Sequence, residues 1–280
     1  MRRSPRGEVP PLTSLRDLYL YDEPDSYGLD VGSLGAYLAG VLPECTSHPR
    51  VDFFSHCLAR FSEEQREALV EQLAPQLERA QLADVTPPAY RGRLPAEAPP
   101  ESEWGPLYHG PSLQAILHVL LPPAEQRLSA LHLVCTNLRL AVWPTPELPL
   151  RQVVALYGEP NLLSLSGLYE APAAPPEYDF LRAQLAMLGM EENLEELEER
   201  FGPRMLGEGD PRLGEVVKGL MLQAVAYRLW GEAFCPDPAC RLYDATSHEQ
   251  LLATHTGPGA GLCARHRELM RAAGAAPERA

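Results

Sequence analysis

The chain has 280 residues, 45% of them hydrophobic and 22% charged, which is enough apolar content for one large domain or two small ones. Its formal net charge of -14 repels phosphate backbones and anionic lipid, so nucleic acid is excluded as an expected partner. No stretch approaches the roughly eighteen apolar residues of a membrane span, and the basic start, Met1 to Ser14, leads into no secretory apolar segment. The expectation is a cytoplasmic protein with no membrane partner.

Arg16 to Tyr21 favours a strand that Asp22-Glu23-Pro24 stops. Asp30 to Leu42 carries Val31, Leu34, Tyr37, Leu38 and Val41 at helical spacing, and Val51 to Phe54 reads as a second strand, giving a β-α-β start. Glu63 to Leu82 repeats Leu69, Leu73, Leu77 and Ala80 between charges, the pattern of an amphipathic helix. The prolines at 87, 88, 95, 99, 100 and 106 exclude regular helix or central strand between Asp84 and Pro106.

Pro111 to Leu121 opens with a proline suited to a first helical turn, and Pro122-Pro123 closes it. Leu131 to Thr136, Leu138 to Trp143, Val153 to Tyr157 and Leu162 to Leu165 read as strands of a central sheet. Helices are predicted over Glu177 to Leu188, Glu191 to Phe201 and Arg212 to Trp230. The last repeats Leu213, Val216, Val217, Leu220, Ala224 and Tyr227 as one buried stripe and ends at Gly231, where a left-handed cap fits. Ala272 to Ala280 is expected to fray. In outline, residues 1–14 form a disordered tail, 15–82 a β-α-β part, 83–110 a proline-rich loop, 111–234 a core containing the helix 212–230, and 235–271 a metal-binding subdomain.

The chemistry concentrates in that last segment. Cys235 and Cys240 flank Pro-Asp-Pro-Ala, and after 22 residues come Cys263 and His266. Two short pairs of soft ligands across a longer connection match a structural zinc site, and three thiolates with one imidazole leave no open position for catalysis. His248 and His255 fall inside the spacer and are alternatives to His266, and the bland alternative is a set of unrelated buried thiols. Elsewhere, His56-Cys57 are neighbours whose side chains diverge on any regular element, Cys135 reads as a core thiol, and Cys45 falls in a loop. His118 reads as a hydrogen-bonded core histidine. With His109 and His132 it could instead converge with Glu170 or Asp179 on a second metal site. The turn Tyr157-Gly158-Glu159-Pro160-Asn161 could line a cleft.

The run from Ala224 to Cys235, with Gly231 and Cys235 in register and Cys240 four residues beyond, resembles the archaemetzincins. In that family a helix bearing H-E-x-x-H-x-x-G-x-x-H runs at once into C-x4-C, a spacer and C-x2-C. The segments LYLYDEP, LYGEPNLLSLSGLYEAP and FCPDPACRLYDA resemble an uncharacterised family labelled as metallopeptidases. The resemblance implies a zincin-like α/β (α+β) domain with a mixed sheet, a long helix in its C-terminal half and a C-terminal structural zinc subdomain. It also places the three catalytic zinc ligands on Ala224, Arg228 and Phe234 and the general base on Val225, none of which can serve. Histidine stands where the family has its final cysteine. The expectation is therefore a non-catalytic protein holding one structural Zn²⁺ and binding a peptide or protein partner, with Arg228 as a carboxylate clamp and Glu232 as the nearest carboxylate. The alternative is a metal-dependent peptidase or other hydrolase with relocated catalytic residues.

Overall fold

The computed structural model describes residues 11–25, 29–81, 105–145 and 150–274. β1 (Asp17–Tyr21) and β2 (Thr46–Arg50) lie parallel and adjacent across α1 (Val31–Val41), whose start is capped by Asp30 accepting from the Ser33 amide at 3.1 Å. β4 (Ala130–Thr136) and β8 (Asn161–Ser164) extend the parallel sheet, and β7 (Ala155–Leu156) closes it antiparallel, giving the order β2-β1-β4-β8-β7. A second sheet holds β3 (Leu107–His109), β5 (Arg139–Val142) and β6 (Arg151–Val153) in the order β3-β5-β6. The fold is mixed α/β, as expected, but the strands predicted for the middle of the chain are divided between two sheets, the segment around Val154 crossing from one to the other.

Alternation along the strands sorts the core into two layers. Leu18, Leu20, Leu131, Leu133 and Leu163 face α1 and α8 (Leu213–Trp230). Tyr19, Tyr21, Val134 and Leu162 face α2 (Phe53–Leu58), α3 (Glu63–Ala80) and α4 (Gly110–Leu120). The remaining helices are α5 (Leu165–Glu170), α6 (Pro176–Leu188), α7 (Leu194–Phe201), α9 (His248–Thr256) and α10 (Ala264–Gly274). Among the described residues no helix is long and apolar enough to cross a membrane.

Several boundaries differ from the sequence reading, each for a physical reason. The second strand is the polar Thr46–Arg50, an edge strand that tolerates Pro49, and Val51–Phe54 is instead the entry to α2, where Asp52 accepts from the Ser55 amide at 2.8 Å. Helix α8 is buried nearly all round rather than on one stripe, because it lies between the sheet and α1 on one side and α9 on the other. Residues 11–14 do not belong to a free tail. The Leu12 amide donates to the Leu229 carbonyl at 2.6 Å, meeting one of the acceptors that the end of α8 leaves open. Leu107–His109 is a strand rather than loop, while the proline-rich residues 82–104 lie outside the described residues, as does the tail from 275; α10 continues to Gly274.

Burial leaves two histidines uncharged. His132, fully buried, binds Tyr21 Oη through Nδ1 at 3.0 Å, and His255 packs against Gly219 on α8, where a Cβ would come within 2.1 Å of its ring. Desolvation lowers both from the usual imidazole range to about 4. The unfolded chain takes up these protons below about 6.5 and the folded chain does not until near 4, so stability falls on acidification. We expect unfolding free energy to drop between pH 6.5 and 5 by up to about 1.4 kcal/mol per unit for each histidine, and urea titrations of His132→Gln and His255→Gln to show a shallower slope in that window. An unchanged slope in both variants would contradict the assignment.

Candidate metal centre and the adjoining cavity

Gly231 caps α8 at φ 73°, and its amide donates to the Tyr227 carbonyl at 2.7 Å, which turns the chain sharply into the cysteine segment. The Cys235 amide then donates to Leu242 at 2.7 Å, and the Pro-Asp-Pro turn is closed by Cys240 N–H to Asp237 O at 3.0 Å. Cys263 sits just before α10 and His266 lies in that helix's first turn. The consequence is that one ligand atom from each of Cys235, Cys240, Cys263 and His266 lies within 4.8 Å of the others. His266 Nδ1 stands 3.2 Å from Cys263 Sγ and 3.6 Å from Cys240 Sγ.

This donor set fits a soft divalent cation. Backbone amides of Asp237 and Cys263 point at the sulfurs of Cys235 and Cys240, both at 3.4 Å, an arrangement that stabilises thiolates. Burial, reinforced by the neighbouring sulfurs, pushes the Cys235 thiol up and Cys240 to about 12, and burial with the nearby Arg265 charge lowers His266. A cation in the group reverses the cost for the sulfurs, while the neutral imidazole is already the ligating form. His248 and His255 are elsewhere: His248 Nδ1 accepts from the Leu206 amide at 3.1 Å, and His255 stays on Gly219. α9 and α10, neither of which the sequence predicts as a helix, supply packing around the group, and Cys235, Cys240, Leu251, Leu252 and Met270 share one core with α8.

The positions matched to a catalytic zinc do not form a metal site. Ala224 and Val225 are fully buried in the core, and Phe234 and Glu232 are exposed. Arg228 is taken by an ion pair with Glu159, in the turn before β8, and Glu159 Oε1 lies 3.9 Å from His132 Nε2. The clamp expected for a ligand's carboxylate is thus already closed by the protein's own. The other groups weighed for metal or thiol chemistry lie apart. His109 Nδ1 pairs with Ser112 Oγ at 2.8 Å, Glu170 binds Arg139 at 2.6 Å, Asp179 is exposed on α6, and His118 is half-buried with Nδ1 lacking the hydrogen bond expected of it. Among the described residues the three cysteines and His266 are the one group placed to hold a metal. Cys57 is a buried thiol raised to about 11, Cys135 is raised further, and Cys45, in the α1–β2 loop, is buried and donates to Leu15 O at 3.3 Å.

Beside α8 lies a cavity of about 230 Å³, bounded by the edge strand β7, by Leu220 and Gln223 of α8, and by Phe234, Tyr243 and His255. Tyr157 lines it, donating to Gln223 Oε1 at 2.5 Å, while Gln223 Nε2 donates to Tyr243 O at 2.9 Å. The sequence flagged the Tyr157 turn as a cleft element, but Gln223 carried no signal.

A family model described as "Probable metallopeptidase family (DUF6775)" matches residues 14–273. The chain is similar to the archaemetzincin of Methanopyrus kandleri, with 14% identity, a TM-score of 0.43, and coverage of 96% of this chain and 97% of that one. No curated protein matches the chain.

The Arg228–Glu159 pair is largely shielded, its side chains 15% and 23% exposed. Arg228→Ala should cost about 3 kcal/mol by leaving a carboxylate without its partner, and adding Glu159→Ala should recover part of the loss. Denaturant midpoints for the two single variants and the double variant check this; additive losses would show that the two residues do not act as a pair.

Proposed function

The chain belongs to the probable metallopeptidase family, and within that family we propose that it is a non-catalytic, peptide-binding member stabilised by one zinc ion in the group of Cys235, Cys240, Cys263 and His266. The observation that carries this reading is the fate of the helix positions before Gly231. Activating water requires a zinc with an open coordination position and a base beside it. Ala224, Arg228 and Phe234 offer no ligand, Val225 is no base, and Arg228 brings a fixed positive charge already committed to Glu159. The Cys₃His group, for its part, offers a closed tetrahedral set.

Peptide binding is supported by the cavity rather than by Arg228. β7 is the edge of its sheet, so an extended peptide can add to it as a further strand, and the cavity beneath offers a half-apolar recess with Tyr157 and Gln223 for one side chain.

The purified protein is expected to carry close to one zinc per chain by elemental analysis, because such sets bind with about 10 to 16 kcal/mol in peptides. Cys235→Ser should lower both the zinc content and the thermal midpoint, the latter by more than about 5 °C at roughly 2–4 °C per kcal/mol. A peptide-library assay on zinc-loaded protein should show no cleavage. Cleavage that chelation abolishes and zinc restores, in protein that stays folded, would make the relocated-site hydrolase the better reading.

A further inference from the structure

A separate feature lies on the helical hairpin α6–α7. α6 buries Tyr178, Leu181 and Leu185 against Leu197 and Phe201 of α7, a small cluster apart from the two main cores. Gly189, at φ 64°, ends α6, with the Met190 amide returning to Leu185 O at 3.0 Å and the Gly189 amide to Ala186 O at 3.3 Å. That packing satisfies one face of α6 and leaves another apolar face in water. Phe180 is 63% exposed, Met187 87%, Leu188 70% and Met190 39%. Phe180 and Met187 are seven residues apart, two helical turns, so they share one side of α6, and Leu188 and Met190 add exposed apolar surface next to Met187 at the hairpin tip. Exposed large apolar side chains gathered in this way mark an interaction surface, and methionines suit one that adapts to its partner.

The charge of the hairpin selects the occupant. Glu192, Glu195, Glu196, Glu198 and Glu199 of the same hairpin are exposed, against only Arg182 and Arg200 over residues 176–201. A second copy of this chain, itself at -14, would bring like charge to like, and anionic bilayers would be repelled in the same way. A cationic amphipathic helix gains on both counts, its apolar face on Phe180, Met187 and Leu188 and its flanking Lys or Arg on the glutamates. We propose that the α6–α7 hairpin is a docking surface for a basic amphipathic helix of a protein partner.

The probe is an 18-residue peptide of Leu and Lys arranged at helical period, titrated by fluorescence anisotropy into the full-length protein. Two controls accompany it: the same composition scrambled out of period, and the periodic peptide with Glu for Lys. The periodic basic peptide should bind at least tenfold more tightly than either control. Met187→Glu and Phe180→Glu should each weaken it at least tenfold, as should the triple change Glu195→Lys, Glu196→Lys and Glu199→Lys, all at exposed positions where circular dichroism can verify the fold. No binding, equal binding of the scrambled peptide, or affinity unchanged within twofold in Met187→Glu and Phe180→Glu would overturn the proposal. So would concentration-dependent dimerisation, or binding to anionic vesicles, that Met187→Glu abolishes; a copy of the chain or a membrane would then be the occupant. None of these outcomes bears on the zinc group or the cavity beside α8.

Discussion

The burial of α8 is the constraint from which the rest of the site follows. Twelve of its eighteen residues are buried, so the helix has almost no wet face on which to leave a polar group unpaired. Several of the polar elements it carries are met from different parts of the chain: Gln223 by Tyr157 and Tyr243, Arg228 by Glu159, and carbonyls at its end by Gly231 and Leu12. These contacts tie the edge of the sheet, the start of the chain and the cysteine segment to one rod. The Cys₃His group continues this arrangement, since its first ligand lies only four residues beyond the glycine that ends the helix.

On the non-catalytic reading proposed above, the same constraint is what keeps a catalytic cation off the helix positions before Gly231. A catalytic cation on α8 needs ligands turned toward an open cleft, with water in reach. Here the first of those positions is a core alanine, and the second projects a guanidinium that an internal carboxylate neutralises. The cavity beside α8, lined by Tyr157 and Gln223, is the recess on which the proposed peptide binding rests.

The features that local spacing encodes were legible in the sequence. The first strand and the helix after it, the helix ending at Gly231 and the cysteine and histidine pairs all rest on periods or short gaps, and the structure gathers the two pairs into one group. Features set by burial or by distance along the chain were not. Thr46–Arg50 has no strand-like composition, because an edge strand draws its stability from backbone pairing with β1. α9 announced itself only by Ser247, whose side chain accepts from the Gln250 amide at 3.3 Å, a capping signal that the zinc reading passed over. The Glu159–Arg228 pair joins residues from two distant elements, and nothing in either neighbourhood points to the other; hence Arg228 read as a clamp for a ligand when its partner was internal.

The most direct test of the account is zinc K-edge X-ray absorption on the native protein. A closed structural site predicts a first shell of three sulfurs near ~2.3 Å and one nitrogen near ~2.0 Å, unchanged on adding peptide. A shell dominated by nitrogen and oxygen, with a water-like scatterer that peptide displaces, would place the metal in an open site and contradict the central claim.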